Sequence, residues 1–153
     1  LILAVQYEYD KNLLEGDDMA MKIKEGASIE PDALKALFEY APWARGRTTD
    51  GIRAMLARTD YHFSAWDGLK LVGFARVLTD GVYRATVWDV VVHPDYQGRG
   101  VGEELMSRLL AHPLLSRVEK FWLNTRDKFT FYEKFGFVRS DQGMFRELPG
   151  KKQ

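Results

Sequence analysis

Trp88-Asp89-Val90-Val91-Val92-His93-Pro94-Asp95-Tyr96-Gln97-Gly98-Arg99-Gly100-Val101-Gly102 is the stretch that decides the fold. Its apolar, β-branched start reads as a buried central strand. The glycines then open a helix that runs through Ala111, with Val101, Leu105, Leu109 and Leu110 turned inward. The first N–H groups of a helix lack internal partners and carry partial positive charge. Glycines let an anion such as a pyrophosphate approach those groups closely, and Arg99 adds a charge-assisted contact.

Two familiar phosphate loops fail on this segment. A Walker A loop closes with Gly-Lys-Ser/Thr, which is absent. A dinucleotide-binding fingerprint needs an acidic residue at the end of the next strand, and here that strand ends in Asn124-Thr125.

Working outward, Met19–Glu25 alternates as a half-buried strand. Ser28 or Glu30 starts a helix with Pro31 in its first turn and Leu34, Leu37, Phe38 and Ala41 as its buried stripe. A second helix follows Thr48-Thr49. Strands over Tyr61–Trp66, Leu69–Leu78 and 82–92 are joined at Asp67-Gly68 and Asp80-Gly81. Phe121–Asn124 reads as a short strand and 126–135 as a helix ended by Gly136. Phe137-Val138 and Met144–Leu148 read as closing strands. The pattern predicts β-α-α-β-β-β-α-β-α-β-β, a mixed α/β sheet with helices on both faces. Residues 1–18 read as an N-terminal hairpin or arm, 19–150 as the domain, and 151–153 as a tail.

The chain has 153 residues, formal net charge zero and no cysteine. One domain of this size buries a core without metals or disulfides. Zero net charge with no basic run gives nucleic-acid binding no support. Without cysteine there is no thiolate metal site and no Cys nucleophile. His62, His93 and His112 lack metal-ligand spacing, so no metal is expected. Leu1–Val5 is too short to span a membrane, and the cytoplasm is the expected compartment.

Strand, Gln-x-x-Gly-x-Gly and helix resemble the acetyl-CoA signature of the GNAT superfamily of N-acetyltransferases. Phe131-Tyr132-Glu133-Lys134-Phe135-Gly136-Phe137 is similar to that superfamily's second motif. Ala85–Val92 with Gly143-Met144-Phe145 resembles the plant and cyanobacterial serotonin-type branch, which acetylates arylalkylamines. The resemblance implies a GNAT fold with a twisted mixed sheet of about six or seven strands and about four helices. It implies acetyl-CoA as acyl donor, with Val90, Val91 and Val92 along the pantetheine arm. Gln97, Gly98, Arg99, Gly100, Val101, Gly102 and Glu103 would surround the pyrophosphate. Asn124 would border the cleft, and Tyr132 would lie near the thioester sulfur. Asp127 and Lys128 stand where many relatives carry a coenzyme-contacting Asn.

The chemistry follows from elementary acid–base arguments. An alkylammonium of pKa roughly 10.4 is neutral in about one molecule per few thousand at pH 7. The expected enzyme favours the neutral amine, which attacks the thioester directly in a ternary complex. Asp89 is the candidate base or ammonium contact, and Tyr132 the candidate acid for the leaving thiolate. Trp43, Trp88 and Tyr83 are candidate walls for a small acceptor amine, arylalkyl amines included. Acetylation of a protein N-terminus or lysine, and a non-catalytic acyl-CoA sensor, are the alternative readings. Residues 114–118 or the N-terminal arm would provide apolar surface for a homodimer.

Overall fold

The computed structural model describes residues 21–144, 146 and 147. The expectations for residues 1–18 and 151–153 therefore lie outside the described residues. In chain order the elements are β1 (Lys22–Glu25), α1 (Pro31–Phe38), α2 (Thr49–Leu56), β2 (Tyr61–Asp67), β3 (Lys70–Thr79), β4 (Arg84–Val92), α3 (Val101–Ala111), β5 (Lys120–Trp122) and α4 (Phe129–Glu133). The predicted order holds from the first strand through α4.

The strands form a five-stranded sheet in the order β1-β2-β3-β4-β5. Neighbours are antiparallel except β4 and β5, which run parallel. Two apolar layers sandwich this sheet. On one face Val101, Leu105, Met106 and Leu109 of α3 pack on Val72, Ala75, Val77, Ala85 and Val87. On the other, Leu34, Leu37 and Phe38 of α1 and Ile52 of α2 pack on Phe74 and Val91.

Local chemistry explains the helices on that second face. Pro31 opens α1, where its missing N–H costs nothing. Thr48 caps α2, its hydroxyl accepting from the Gly51 N–H at 3.1 Å. Close approach of α3 to the sheet depends on Gly73. A Cβ there would stand 3.0 Å from Leu105 and 3.1 Å from Val101 and Ala65.

Among the described residues the sheet has five strands, fewer than the six or seven expected, and Phe145 and Leu148 of the last expected strand lie outside them. Phe137-Val138 and Gly143-Met144 are irregular, and the Val138 and Met144 side chains lie in solvent. An extended segment that pairs with no strand and covers no apolar face has nothing to hold it as a strand. The helix expected over 126–135 is confined to Phe129–Glu133.

Candidate functional site

The site grows from an irregularity in β4. Phe74 pairs with Val91 and Arg76 with Trp88, so Asp89 and Val90 stand opposite the single residue Ala75. This is a β-bulge, and it reverses the facing of the strand. Before it, Ala85 and Val87 pack toward α3; after it, Val90 and Val92 do so and Val91 turns to the α1 side. Asp89 takes φ 54°, the left-handed region, which Asp tolerates better than most residues.

Beyond the bulge one edge of β4 is open. β5 pairs only with Arg84, Ala85 and Thr86, and among the described residues no strand covers Val87 through Val92 on that side. His93 donates its N–H to the Val72 carbonyl at 2.8 Å. By antiparallel alternation Val92 then directs its N–H and C=O away from β3, into the opening. The Gln97 side chain donates to the Val92 carbonyl at 3.0 Å, so the N–H is the group left available.

The strand then enters the glycine loop. Gly98 and Gly100 have φ 69° and 80°, and Gly100 is the left-handed N-cap of α3. A Cβ at either would meet nothing within 4 Å, so it is backbone conformation that requires glycine here. Among the described residues, the N–H groups of Gly98 through Glu103 have no protein acceptor. This row of donors at a helix start is an anion cradle. Gly102 serves differently: a Cβ there would lie 3.3 Å from the Phe131 ring. That closeness seats α4 on the first turn of α3, and the Lys134–Glu103 ion pair at 3.3 Å ties the same two turns.

Two cations sit beside the cradle. The Arg99 guanidinium lies 5.0 Å from the Tyr96 ring centre and the Lys70 ammonium 5.3 Å. The Tyr96 hydroxyl donates to Asp67 across the sheet end, fixing that ring. Lys70 was not singled out from the sequence, because only the hairpin turn brings it to the loop.

Tyr132 belongs to the α4 turn and packs edge-on against Phe131 and Phe137. Burial pushes its phenol up to about 12, so it stays protonated well above neutrality. No described group takes its hydroxyl proton, and no side-chain oxygen in the described residues is both fully buried and unpaired. Its hydroxyl therefore keeps some contact with solvent. Asn124 is exposed two residues past β5, and Asp127 and Lys128 pair with each other at 3.6 Å in solvent.

Asp89 is engaged where a free base was expected. Arg47 grips it through two 3.0 Å hydrogen bonds, and the Arg76 Nε donates to it at 2.6 Å. Both carboxylate oxygens are thus occupied by guanidinium groups, where the sequence alone suggests an Asp89 free to serve as base or ammonium contact. Arg76 was missed in the sequence. Its only signal was a cation inside the apolar run Leu71–Leu78.

The expected acceptor walls separate. Trp88 is half exposed opposite Arg76, and Trp43 is exposed on the α1–α2 connection. Tyr83 precedes β4 at its far end, roughly 20 Å along the strand from Val90. It stands far from the bulge. Two shallow concavities, about 280 Å³ beside Asp60 and Asp80 and about 250 Å³ beside Glu25 and His112, also lie away from the loop. Among the described residues no cluster of three metal-ligating side chains occurs, and no helix is long and apolar enough to cross a membrane.

An open strand edge leading into a helix-start anion cradle is the arrangement for a ligand with an extended arm and a phosphate end. The family model of the acetyltransferase (GNAT) domain matches residues 58–139, which span it. The chain belongs to the GNAT acetyltransferase family. It is 30% identical over 140 residues to the chloroplastic GCN5-related N-acetyltransferase 1 of Arabidopsis thaliana, covering 88% of this chain and 68% of that protein. It is 40% identical over 76 residues to the uncharacterized N-acetyltransferase ycf52 of Porphyra purpurea, covering 49% of this chain. The GNAT chain thus spans less than half, 44%, of that algal protein's length. Among solved structures, a putative GNAT-family acetyltransferase from Xanthomonas campestris superposes with TM-score 0.73 at 26% identity, covering 84% of this chain and 95% of the other.

Proposed function

We propose that this GNAT domain transfers an acetyl group from acetyl-CoA to the nitrogen of a small primary amine. The observation that carries the reading is the β4 edge, Val87–Val92, left open among the described residues and followed, after the short turn Pro94–Tyr96, by the free N–H groups of Gly98–Glu103. An extended pantetheine amide chain has the hydrogen-bonding character of a β-strand, and the edge would pair with it. The cradle, with Arg99 and Lys70 beside it, would hold the pyrophosphate.

The residues divide the chemistry between them. The Val92 N–H would donate to the thioester carbonyl oxygen and stabilise the charge that grows there as the amine nitrogen attacks. The new C–N bond forms as the C–S bond breaks. The sulfur leaves with its electron pair and takes a proton, while the nitrogen loses one, so no net proton is gained or lost. Tyr132 would donate to the departing sulfur and recover its proton from the attacking nitrogen, directly or through water. A phenol held near 12 is a reluctant acid beside a thiol of pKa roughly 8.5, so concerted transfer suits it better than prior ionisation. Trp88 and Trp43 would offer aromatic faces to the acceptor.

Calorimetric titration with acetyl-CoA tests the binding half of this reading. Saturable binding at one site per chain, lost on replacing Gly100 by valine, is the expected result. Absence of binding would remove the cradle assignment. Binding without transfer to any amine would instead favour an acyl-CoA sensor.

A further inference from the structure

We infer that the acceptor is a primary amine that also carries an oxyanion, and that the Arg76 guanidinium recognises it. This rests on the transferase reading above and narrows its substrate. The amine must reach the β4 edge from the α1 side, because Val90 and Val92 are packed against the α3 layer on the other. On that side Asp89 adjoins Val90 at the bulge, and with it come Arg47 and Arg76.

The charges there do not balance. Two guanidinium groups share one carboxylate, and among the described residues no other acid contacts either arginine. Their hydrogen bonds show where the surplus lies. Arg47 commits both terminal nitrogens to Asp89. Arg76 commits only Nε, leaving the fork of its two terminal nitrogens without a partner among the described residues. The Arg76 side chain is 13% exposed, and no described side-chain nitrogen is both fully buried and unpaired. The fork is thus nearly desolvated yet open. A planar pair of N–H donors of this kind matches a carboxylate or a phosphate bidentately. Asp89 prevents the arginine from rotating away, and its strained backbone keeps the whole group at the bulge.

The test compares amines that differ only in the oxyanion: tryptophan with tryptamine, and phosphoethanolamine with ethanolamine. Both pairs are assayed by thiol release from acetyl-CoA. The wild-type chain should favour the anionic member of at least one pair by tenfold or more in kcat/KM. The responding pair tells carboxylate from phosphate. Arg76→Gln should reduce that preference by roughly 10- to 100-fold, the range for a hydrogen bond to a charged group. Arg76→Lys should restore part of it. The ratio of two substrates on one protein is insensitive to partial unfolding, and acetyl-CoA binding measured alongside confirms an intact domain. Equal use of both members of each pair, or a preference that survives Arg76→Gln, overturns the inference and leaves the transferase reading standing. No release with any amine overturns both.

Discussion

Arg47 and Asp89, 42 residues apart in the chain, meet in a two-pronged ion pair with both hydrogen bonds at 3.0 Å. One end belongs to the α1–α2 connection and the other to the bulge of the central strand. The pair fastens the outer layer to the left-handed residue of the β4 bulge. Breaking it should therefore cost both stability and geometry. Asp89→Asn leaves Arg76 with a nearly buried, uncompensated charge, and a loss of about 3 kcal/mol is expected. Urea denaturation measures it. A loss under 1 kcal/mol would show that the pair does not brace the bulge.

Tyr132→Phe keeps the ring packed against Phe131 and Phe137 and removes only the hydroxyl. Turnover should fall by roughly 10²- to 10³-fold while acetyl-CoA affinity changes less than about twofold. Steady-state kinetics beside calorimetry separates the two quantities. Undiminished turnover would strike Tyr132 from the mechanism.

The same phenol links stability to alkaline pH. Its pKa is about 12 in the folded chain against 10.0 in the unfolded one. Below pH 10 both states hold the proton, and the full contribution is present. Between pH 10 and 12 only the unfolded state releases it, so stability declines by about 2 kcal/mol through this group. Other tyrosines and the lysines titrate there too, so the quantity to measure is the difference between wild type and Tyr132→Phe across pH 9–12. Parallel curves would contradict the burial of this hydroxyl.

Two glycines two residues apart should fail differently. Gly100→Val forces a branched side chain into φ 80° at the cradle, and acetyl-CoA affinity should drop tenfold or more. Gly102→Val has an ordinary helical backbone but drives a side chain into Phe131. Overpacking of this kind costs roughly 1–3 kcal/mol, and the displaced α4 should carry Tyr132 with it. Thermal melts and binding isotherms of the two variants should therefore show opposite emphasis. Identical profiles would contradict the division of roles.

Much of this was legible in the sequence, and the reasons are local. Pro31, Thr48, the Asp67-Gly68 and Asp80-Gly81 turns and the glycine loop announce elements through chemistry within a few residues of each other. The stripe Leu34, Leu37, Phe38 and Ala41 is buried as its spacing requires. What could not be read depends on contacts between distant residues. The bulge at Asp89 shows only when β4 is laid against β3, and without it Val91 would face α3. The Arg47–Asp89–Arg76 cluster joins distant parts of the chain, so the partners that occupy Asp89 could not be read from its place in a strand. Tyr83 reads as a wall because aromatic residues suit acceptors, and strand length sets it far from the bulge. Lys70 reaches Tyr96 only through the β2–β3 turn. The closing strands were inferred from short apolar runs, and Val138 in solvent shows how little such a run specifies without a neighbour.

The most direct test of the central claim is the release of free thiol from acetyl-CoA, followed continuously, with and without a panel of primary amines. The account predicts slow background release that rises many-fold with at least one amine and saturates in both substrates. An intersecting pattern of initial rates would mark direct transfer in a ternary complex. Release that no amine accelerates, from protein that binds acetyl-CoA and is fully folded, would contradict it.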